Sequence, residues 1–495
     1  MIASCSLVVS MLHKVNVFFV LCVVGLNCLL PSVRAETLRE LSLDEAIMLA
    51  VRENPNVETA QLMHVQQKYA LEIQQWQFQP HFGLQATKTT SQTYSTTPGG
   101  MVTANQTGVQ PSVSLLTPIG TQMNLVSTNT VAGHYNPALS LQVMQPLLRG
   151  FGRPIVEAAL DDAMESERIS RLNVEFQLRQ TTTDVINAYL DVISARNTLM
   201  IDQESLHRSE ESVRQTRLFI KAGRKAGVEL VTVQADAASA HTKIEVDQNN
   251  LQQATYGLLT AIGMDPNTRV TFREVNIERL IQKYHIPTLD EAKEMSLEKD
   301  IQYQVDNITL NGSTRRNLQS AKDNTRWQLN LLLNGSTGNG NGGGPNAGIN
   351  SLVNGVNVTD SATLNLTIPI DDRPAKMAVS NAKIALREAE LALKQEAWAK
   401  KTNVINVWNG IYSAMRAIRF AKQAEDLQAK TWKISFQKYS FGLIDGLELQ
   451  AAQQQYRAAQ QIALSAKIDY LKALTRLDLL VGATLKTWNV KVRYT

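Results

Sequence analysis

Hydrophobic positions along this chain follow two rhythms, each confined to its own segments. In the first the period is 3.5. Leu449, Ala452, Tyr456, Ala459, Ala463, Ala466, Tyr470, Ala473, Leu477 and Leu480 are separated by three and four residues in alternation, as are Ala375, Ala378, Ala382, Ala385, Ala389 and Ala392. That spacing keeps one helix face turned toward a partner helix, the signature of a coiled coil. Alanine in most seam positions brings helix axes close and buries little area per layer, so stability has to come from length and neighbours. The segment from about 154 to 221 predicts a single helix roughly 100 Å long at ~1.5 Å per residue.

In the second rhythm the period is two. Phe82, Leu84 and Ala86 alternate with His81, Gly83, Gln85 and Thr87, and Leu139, Leu141 and Val143 alternate with Ser140 and Gln142. Further on, Trp327, Leu329, Leu331 and Leu333 alternate with Gln328 and Asn330, and Leu364, Leu366 and Ile368 with Thr363, Asn365 and Thr367. An apolar face opposite an uncharged polar face fits a barrel strand between lipid and water. The same pattern would also suit a half-buried strand of a soluble sandwich. Four such strands cannot close a barrel alone, and open edges are not tolerated in lipid, so in a membrane several copies must share one wall. The stretches Tyr94 to Gln110 and Asn334 to Asp360, rich in Gly, Asn, Ser and Thr, read as long external loops.

The two rhythms occur twice in the same order. Ser42-Leu43-Asp44-Glu45-Ala46 returns as Thr288-Leu289-Asp290-Glu291-Ala292, an offset of 246, each a capping box that opens a helix. Val185, Asn187, Ser194 and Ala195 return as Val404, Asn406, Ser413 and Ala414, an offset of 219. The same 219 carries Gly223, Gly227, Glu229, Leu230 and Gly263 onto Gly442, Gly446, Glu448, Leu449 and Gly482. A constant offset over so long a stretch marks a duplication. The difference between the offsets leaves 27 additional residues in the first copy, between about 90 and 155. A further strand pair, Val113 to Thr117 and Gln122 to Thr128 about a turn at Pro118-Ile119-Gly120, is the candidate for them.

The division that follows is residues 1–35 as a signal peptide and 36–265 as the first repeat, with strands within 80–147 and a helical hairpin over 152–262. A linker, 266–287, joins it to the second repeat, 288–482, with strands within 326–370 and a hairpin over 372–481; 483–495 form a tail. In the leader, His13 and Lys14 precede an apolar run from Val15 to Leu30, and Val33-Arg34-Ala35 offers a cleavage site. An uncleaved anchor is the alternative, although the run is short for a span of roughly 20 residues. No later stretch is apolar for long enough to form a membrane helix.

Composition narrows the chemistry. All three cysteines (Cys5, Cys22, Cys28) lie in the leader, so the mature chain has no disulfide framework, thiolate site or cysteine nucleophile. Removing Lys14 and Arg34 with the leader leaves 47 basic against 45 acidic residues, which gives no electrostatic footprint for nucleic acid. The seven histidines are scattered, without ligand spacing beside a carboxylate, so neither a metal nor any other cofactor is expected. Gly338, Gly340 and Gly343 match a dinucleotide fingerprint only formally, since Pro345 follows within a low-complexity loop and no helix opens there. No catalytic constellation supports an enzyme.

Duplication, leader, paired strands and tandem helical hairpins together resemble the TolC-like outer membrane efflux protein family over essentially the whole mature chain. The motifs are Gln145-Pro146-Leu147-Leu148-Arg149-Gly150-Phe151-Gly152, Ile368-Pro369-Ile370, and Lys438-Tyr439-Ser440-Phe441-Gly442-Leu443. The resemblance implies an α+β membrane protein of the outer membrane. It would be a homotrimer in which each subunit gives four strands to a twelve-stranded barrel, continued by an α-helical tunnel into the periplasm. It also implies a periplasmic adaptor and an inner-membrane pump that open the tunnel at the hairpin tips. The cargo would be drugs and other small molecules or, as in type I secretion, polypeptides.

By the same resemblance the family's gate tyrosine falls on Tyr439 and its acidic constriction on Glu448, with Glu229 as the first-copy counterpart. The family's gate arginine falls on Ile444, so Asp445 beside it, or Arg224 and Lys225 on the other tip, would have to take over. Gly223, Gly227, Val228, Gly442, Leu443 and Gly446 are the expected adaptor contacts. A periplasmic adaptor would show one hairpin between lipoyl-like halves, and a trimeric adhesin a single barrel segment at its C-terminus. Neither rival accounts for two copies with mid-copy strands.

Overall fold

The computed structural model describes residues 39–95, 99–132, 134–273, 277–338, 352–355 and 357–492. The expected leader lies outside them, as do Gly340 and Gly343 of the glycine-rich loop.

Each copy opens on its capping box. Ser42 Oγ accepts from the Glu45 amide at 3.4 Å and the Glu45 carboxylate accepts from the Ser42 amide at 3.0 Å; Thr288 and Glu291 do the same at 3.4 and 2.9 Å. These boxes satisfy orphan N–H groups at the starts of α1 (Leu43–Glu53) and α7 (Leu289–Glu298). Asn54, with Pro55 behind it, then starts α2 (Pro55–Trp76). In the second copy α8 (Ile301–Thr309) passes through a π turn, Leu310–Thr314, into α9 (Arg315–Asn324). At that bulge Gly312 lies against the Glu165 carboxylate, which a Cβ there would displace. Arg316, one turn on, is clamped between Glu165 and Asp162.

The strands form one antiparallel sheet in the order β2 (His81–Ser95), β3 (Gly100–Leu116), β4 (Gln122–Ala132), β5 (His134–Pro146), β7 (Gln328–Gly338) and β8 (Thr359–Thr367). Six strands per chain, four from the first copy and two from the second, are a correction to the four per subunit that the resemblance implies. The additional hairpin lies where the 27 extra residues placed it. Tyr94 to Gln110, expected as a loop, is mostly strand: β2 and β3 stay in register up to Ser95↔Gly100, and Thr90 Oγ1 donates to Asn105 Oδ1 across them at 2.9 Å. Thr, Val and Asn in a paired ladder satisfy their backbone where a loop would need water.

The alternation holds across the lower part of all six strands, next to the helices; above Ala86 the same face turns polar, with Lys88, Thr90 and Gln92 paired to Thr107, Asn105 and Thr103. Phe82 pairs with Val113, Val113 with Leu125, Leu125 with Leu141; next to them Val143 pairs with Leu333, and Leu331 with Leu364. All lie on one face. The opposite face carries His81, Ser114, Asn124, Gln142, Asn334 and Ser361, paired in succession from β2 to β8.

From the sheet the chain passes through a short helical turn, α3 (Arg153–Val156), into α4 (Ala158–Lys221), 64 residues and so about 96 Å. α5 (Val228–Ile262) returns along it. The second hairpin is α10 (Arg373–Ser440) and α11 (Gly446–Leu480). No helix among the described residues is long and apolar enough to cross a membrane.

Midway along the hairpins lies the main core, where Leu41, Ile47, Tyr189, Leu190, Ile262 and Ile411 are fully enclosed. Burying each aliphatic chain contributes roughly 1.5–3 kcal/mol. The expected linker 266–287 is folded into this girdle. β6 (Val270–Phe272) pairs in parallel with β1 (Arg39–Leu41), Tyr189 Oη donates to the Leu41 and Arg273 carbonyls, and α6 (Ile277–Lys283) buries Leu280. After α12 (Thr484–Thr487) the tail places Trp488 against Tyr284, so 483–492 belong to the core as well.

Candidate gate at the hairpin tips

The two tips are built on one backbone motif. At the end of α4 the Arg224 amide donates to the Phe219 carbonyl at 2.8 Å and the Gly223 amide to Ile220 at 3.0 Å, with Gly223 at φ +70°. At the end of α10 the Leu443 amide donates to Lys438 at 2.9 Å and Gly442 to Tyr439 at 2.9 Å, with Gly442 at φ +76°. Both are Schellman caps, which place the residue after the helix in the left-handed region. Gly223 and Gly442 are glycines for that reason. Gly227 and Gly446 are not: both have negative φ, a Cβ on Gly227 would meet nothing, and one on Gly446 would press on Val233 at 3.3 Å.

On this frame the side chains diverge. Tyr439 is wholly buried, its ring edge-on to Phe219 and its hydroxyl hydrogen-bonded to Thr216 Oγ1. Thr216 already gives its proton to the Ser212 carbonyl at 2.7 Å, so Tyr439 is the donor in that bond. Lys225 reaches over from the first tip. Its Nζ lies 3.8 Å from the Tyr439 ring centroid, 2.6 Å from Glu229 Oε2 and 3.1 Å from the Ile444 carbonyl oxygen. One cation thus holds its own helix start, the partner tip's tyrosine and the partner tip's backbone. Lys225 is the position equivalent to Ile444 in the other copy, where the resemblance put the gate arginine.

Asp445 caps α11, its carboxylate accepting from the Glu448 amide at 2.8 Å. Glu448 itself is exposed, whereas Glu229 is half-buried against Lys225. Phe441, Leu443 and Leu447 are exposed at 78%, 72% and 65%, so the end of the second hairpin is an apolar knob, and Val228 on the first tip is exposed at 71%. The structure therefore brings Tyr439, Lys225 and Glu229 together, and leaves Asp445 and Glu448 outside that cluster.

Behind the tips runs a seam that a search for apolar heptads passes over. Asp202, Ser205, Ser209, Ser212 and Thr216 on α4 repeat at three and four residues, and all are buried. Asp202 pairs with Arg457 of α11; Gln453 donates to the Ser205 carbonyl at 2.9 Å and to Ser209 Oγ at 2.8 Å. Asp247 of α5 lies beside Asp202. Burial first, then hydrogen bonding and repulsion from Asp202, push its carboxyl up to about 6. Hydrogen bonding and charge from Arg457 hold Asp202 below the ordinary carboxylate range against its own burial. Among the described residues no group of three or more His, Cys, Asp or Glu side chains is placed to hold a metal ion.

The model of the outer membrane efflux protein family matches residues 46–264 and 312–483, which takes in both hairpins and the sheet. The chain belongs to the outer membrane efflux protein family. Membership makes it an outer-membrane efflux channel protein and not an enzyme. Solved structures share the fold at low identity. The CmeC outer membrane channel of Campylobacter jejuni has a TM-score of 0.67 at 14% identity, over 89% of this chain and 86% of that one. CusC reaches 0.69 at 14% identity over 90% and 92%, and the MtrE outer membrane channel of Neisseria gonorrhoeae, in its open state, 0.64 at 17% over 90% and 89%. No curated protein matches it in sequence.

Proposed function

We propose that this chain is one subunit of a homotrimeric exit duct, closed at rest at its hairpin tips and opened by a periplasmic adaptor working with an inner-membrane pump. The duct passes small molecules outward by diffusion, and the energy comes from the partners.

The observation that carries this reading is the Lys225 latch. A buried cation joins the two tips about 96 Å from the sheet, at the end of a hairpin that has no other evident use for it. Beside it the apolar knob, Phe441, Leu443 and Leu447, offers a docking partner area and shape, and Gly227 leaves room for close backbone approach. Three copies of exposed Glu448 around one axis would form an acidic ring that favours cations and repels anions. Efflux of small molecules is preferred over polypeptide export because the family match is to efflux proteins.

Deleting the gene and comparing the susceptibility of the cells to a panel of toxic compounds with their secreted-protein profile tests the reading. Hypersensitivity with an unchanged secreted profile, reversed by the wild-type gene, is expected. Loss of one secreted protein with unchanged susceptibility would overturn it.

A further inference from the structure

On the trimeric reading above, we propose that all six strands of each subunit enter the membrane wall and that β2 of one subunit closes against β8 of the next. Three subunits then form a barrel of eighteen strands, half as many again as the twelve that four strands per subunit would supply.

The additional hairpin is built like the rest of the wall. Its apolar face continues that of the other strands through Phe82, Val113 and Leu125, and its polar face continues theirs through His81, Ser114 and Asn124. A hairpin lying outside the membrane has no reason to keep that alternation in phase with its neighbours. Its lower turn, Thr117 to Thr121, is moored to the base of the wall. The Gly152 amide donates to the Ile119 carbonyl at 3.2 Å, the Thr121 hydroxyl bonds Gln145, and Gly120 leaves no space for a side chain against the Gly150 carbonyl. The Gln145–Gly152 motif at the sheet-to-helix junction therefore also holds the turn that the extra strands require.

Geometry closes the ring. Following paired residues straight across the sheet from His81, the first residue of β2, leads to Ser361, six residues before Thr367 at the end of β8. A slip of six residues at ~3.3 Å each, across six strands ~4.8 Å apart, corresponds to a strand tilt of about 35°. That lies at the lower bound of the tilts at which barrels close, ~35–45°. β2 runs away from the helices and β8 toward them, so the two free edges meet antiparallel. With the bases level, His81 of one subunit stands beside Thr367 of the next, Gln85 beside Thr363, and the polar faces coincide. Barrel diameter grows roughly linearly with strand number, and walls of ~16–18 strands enclose an aqueous channel. The exit is then too wide to select cargo, and bulky hydrated solutes pass it freely once the hairpin tips are open.

Disulfide trapping in the protein in its own membrane tests this, because its three native cysteines, Cys5, Cys22 and Cys28, all lie in the expected leader and none in the strands. The double variant Gln85→Cys with Thr363→Cys should give a covalent trimer on a non-reducing denaturing gel, with neither single variant doing so. Val126→Cys with Thr363→Cys should not. The reverse result would mean that β4 forms the edge, that β2 and β3 lie outside the wall and that four strands per subunit build it, overturning the proposal with the trimer intact. Non-covalent trimers without either cross-link would overturn it as well, whereas a protein monomeric in detergent would overturn the trimeric reading itself. Nitroxide attached at Phe82→Cys gives a second readout: it should be quenched by oxygen and shielded from a water-soluble nickel chelate. Full access of the chelate would place β2 outside the lipid and sink the proposal.

Discussion

The two hairpin tips descend from one duplicated unit and share a backbone, yet they have taken opposite chemistries. The first reads Gly223-Arg224-Lys225-Ala226-Gly227, the second Gly442-Leu443-Ile444-Asp445-Gly446. The first contributes the cation and has no side-chain cap on the helix that follows; the second contributes the buried tyrosine, the apolar knob and an aspartate cap. What duplication kept is what φ demands, the left-handed glycine of each Schellman cap. What it released are side chains, and these became complementary to each other. On the proposed gating the unlike halves divide the work, one to latch and one to be gripped.

The largest effect should come from attacking the shared backbone. Proline at Gly442 cannot reach φ +76° and removes the amide that donates to Tyr439, a loss of about 3 kcal/mol or more in the turn. Gly442→Pro is expected to reduce export to the level of the deletion strain while trimers still assemble, as read by complementation and native gels. Gly446→Pro should be milder. Gly446 is the first residue of α11, a position that proline suits, and only contact with Val233 opposes it. Equal loss in both variants would mean that the tip fails through misfolding and not through its turn.

Next comes the latch. Lys225→Met keeps the stem over Tyr439 and removes the charge from Glu229 and the hydrogen bond to Ile444. Losing one partner of a part-buried charged contact costs roughly 1–3 kcal/mol, enough to raise the open fraction several-fold at least. Single channels in planar bilayers should show longer openings, and the cells should admit large antibiotics that are normally excluded. Unchanged conductance would remove Lys225 from the gate. Asp445→Ala is smaller, about 1 kcal/mol for a lost N-cap. Because Asp445 lies outside the cluster, a lower thermal midpoint of the trimer without a change in conductance is expected.

Much of this was legible in the residues. The seam from Leu449 to Leu480, the two polar-apolar strand faces and both capping boxes follow from spacing alone, whereas the alanine seam from Ala375 to Ala392 stays half-exposed to exposed in the single chain. The offset of 219 located both pairs of Schellman glycines, Gly223 with Gly442 and Gly263 with Gly482. Two things were hidden. The upper part of β2 and β3 is Thr, Ser, Asn and Gln, composition that a loop shares, and only its pairing partner shows it to be strand. The seam on α4 was missed because its repeating positions are polar; a heptad scan for Ser, Thr and Asp would have found Asp202 to Thr216. Tyr439 could be placed from family resemblance, but its partners Thr216 and Phe219 lie more than 200 residues away and leave no local mark.

That seam carries the subtlest form of the contrast between copies. The offset of 219 sets Asp202 against Ala421 and Asp247 against Ala466, so the first hairpin has a carboxylate pair where the second has alanines. The pair makes the first hairpin sensitive to pH, and the sign follows from linkage. Asp247 is held at about 6 in the folded protein and near 4 when unfolded, so the native state binds the extra proton between those values. Its contribution to stability is fully present below pH 4 and is lost as pH rises through 6. Asp247→Asn keeps the size and hydrogen bonding of the neutral acid and cannot ionise. The variant trimer should therefore be more stable than wild type above pH 6, by no more than about 2 kcal/mol once solvent screening is allowed for, and melt at a higher temperature there, with the two curves converging toward pH 4. Ala466→Asp in the second hairpin should behave in the opposite sense, lowering the melting temperature most at high pH. A gap between Asp247→Asn and wild type that is the same at every pH would show that Asp247 is already ionised through this range, and the paired carboxylates would then rest on Arg457 alone.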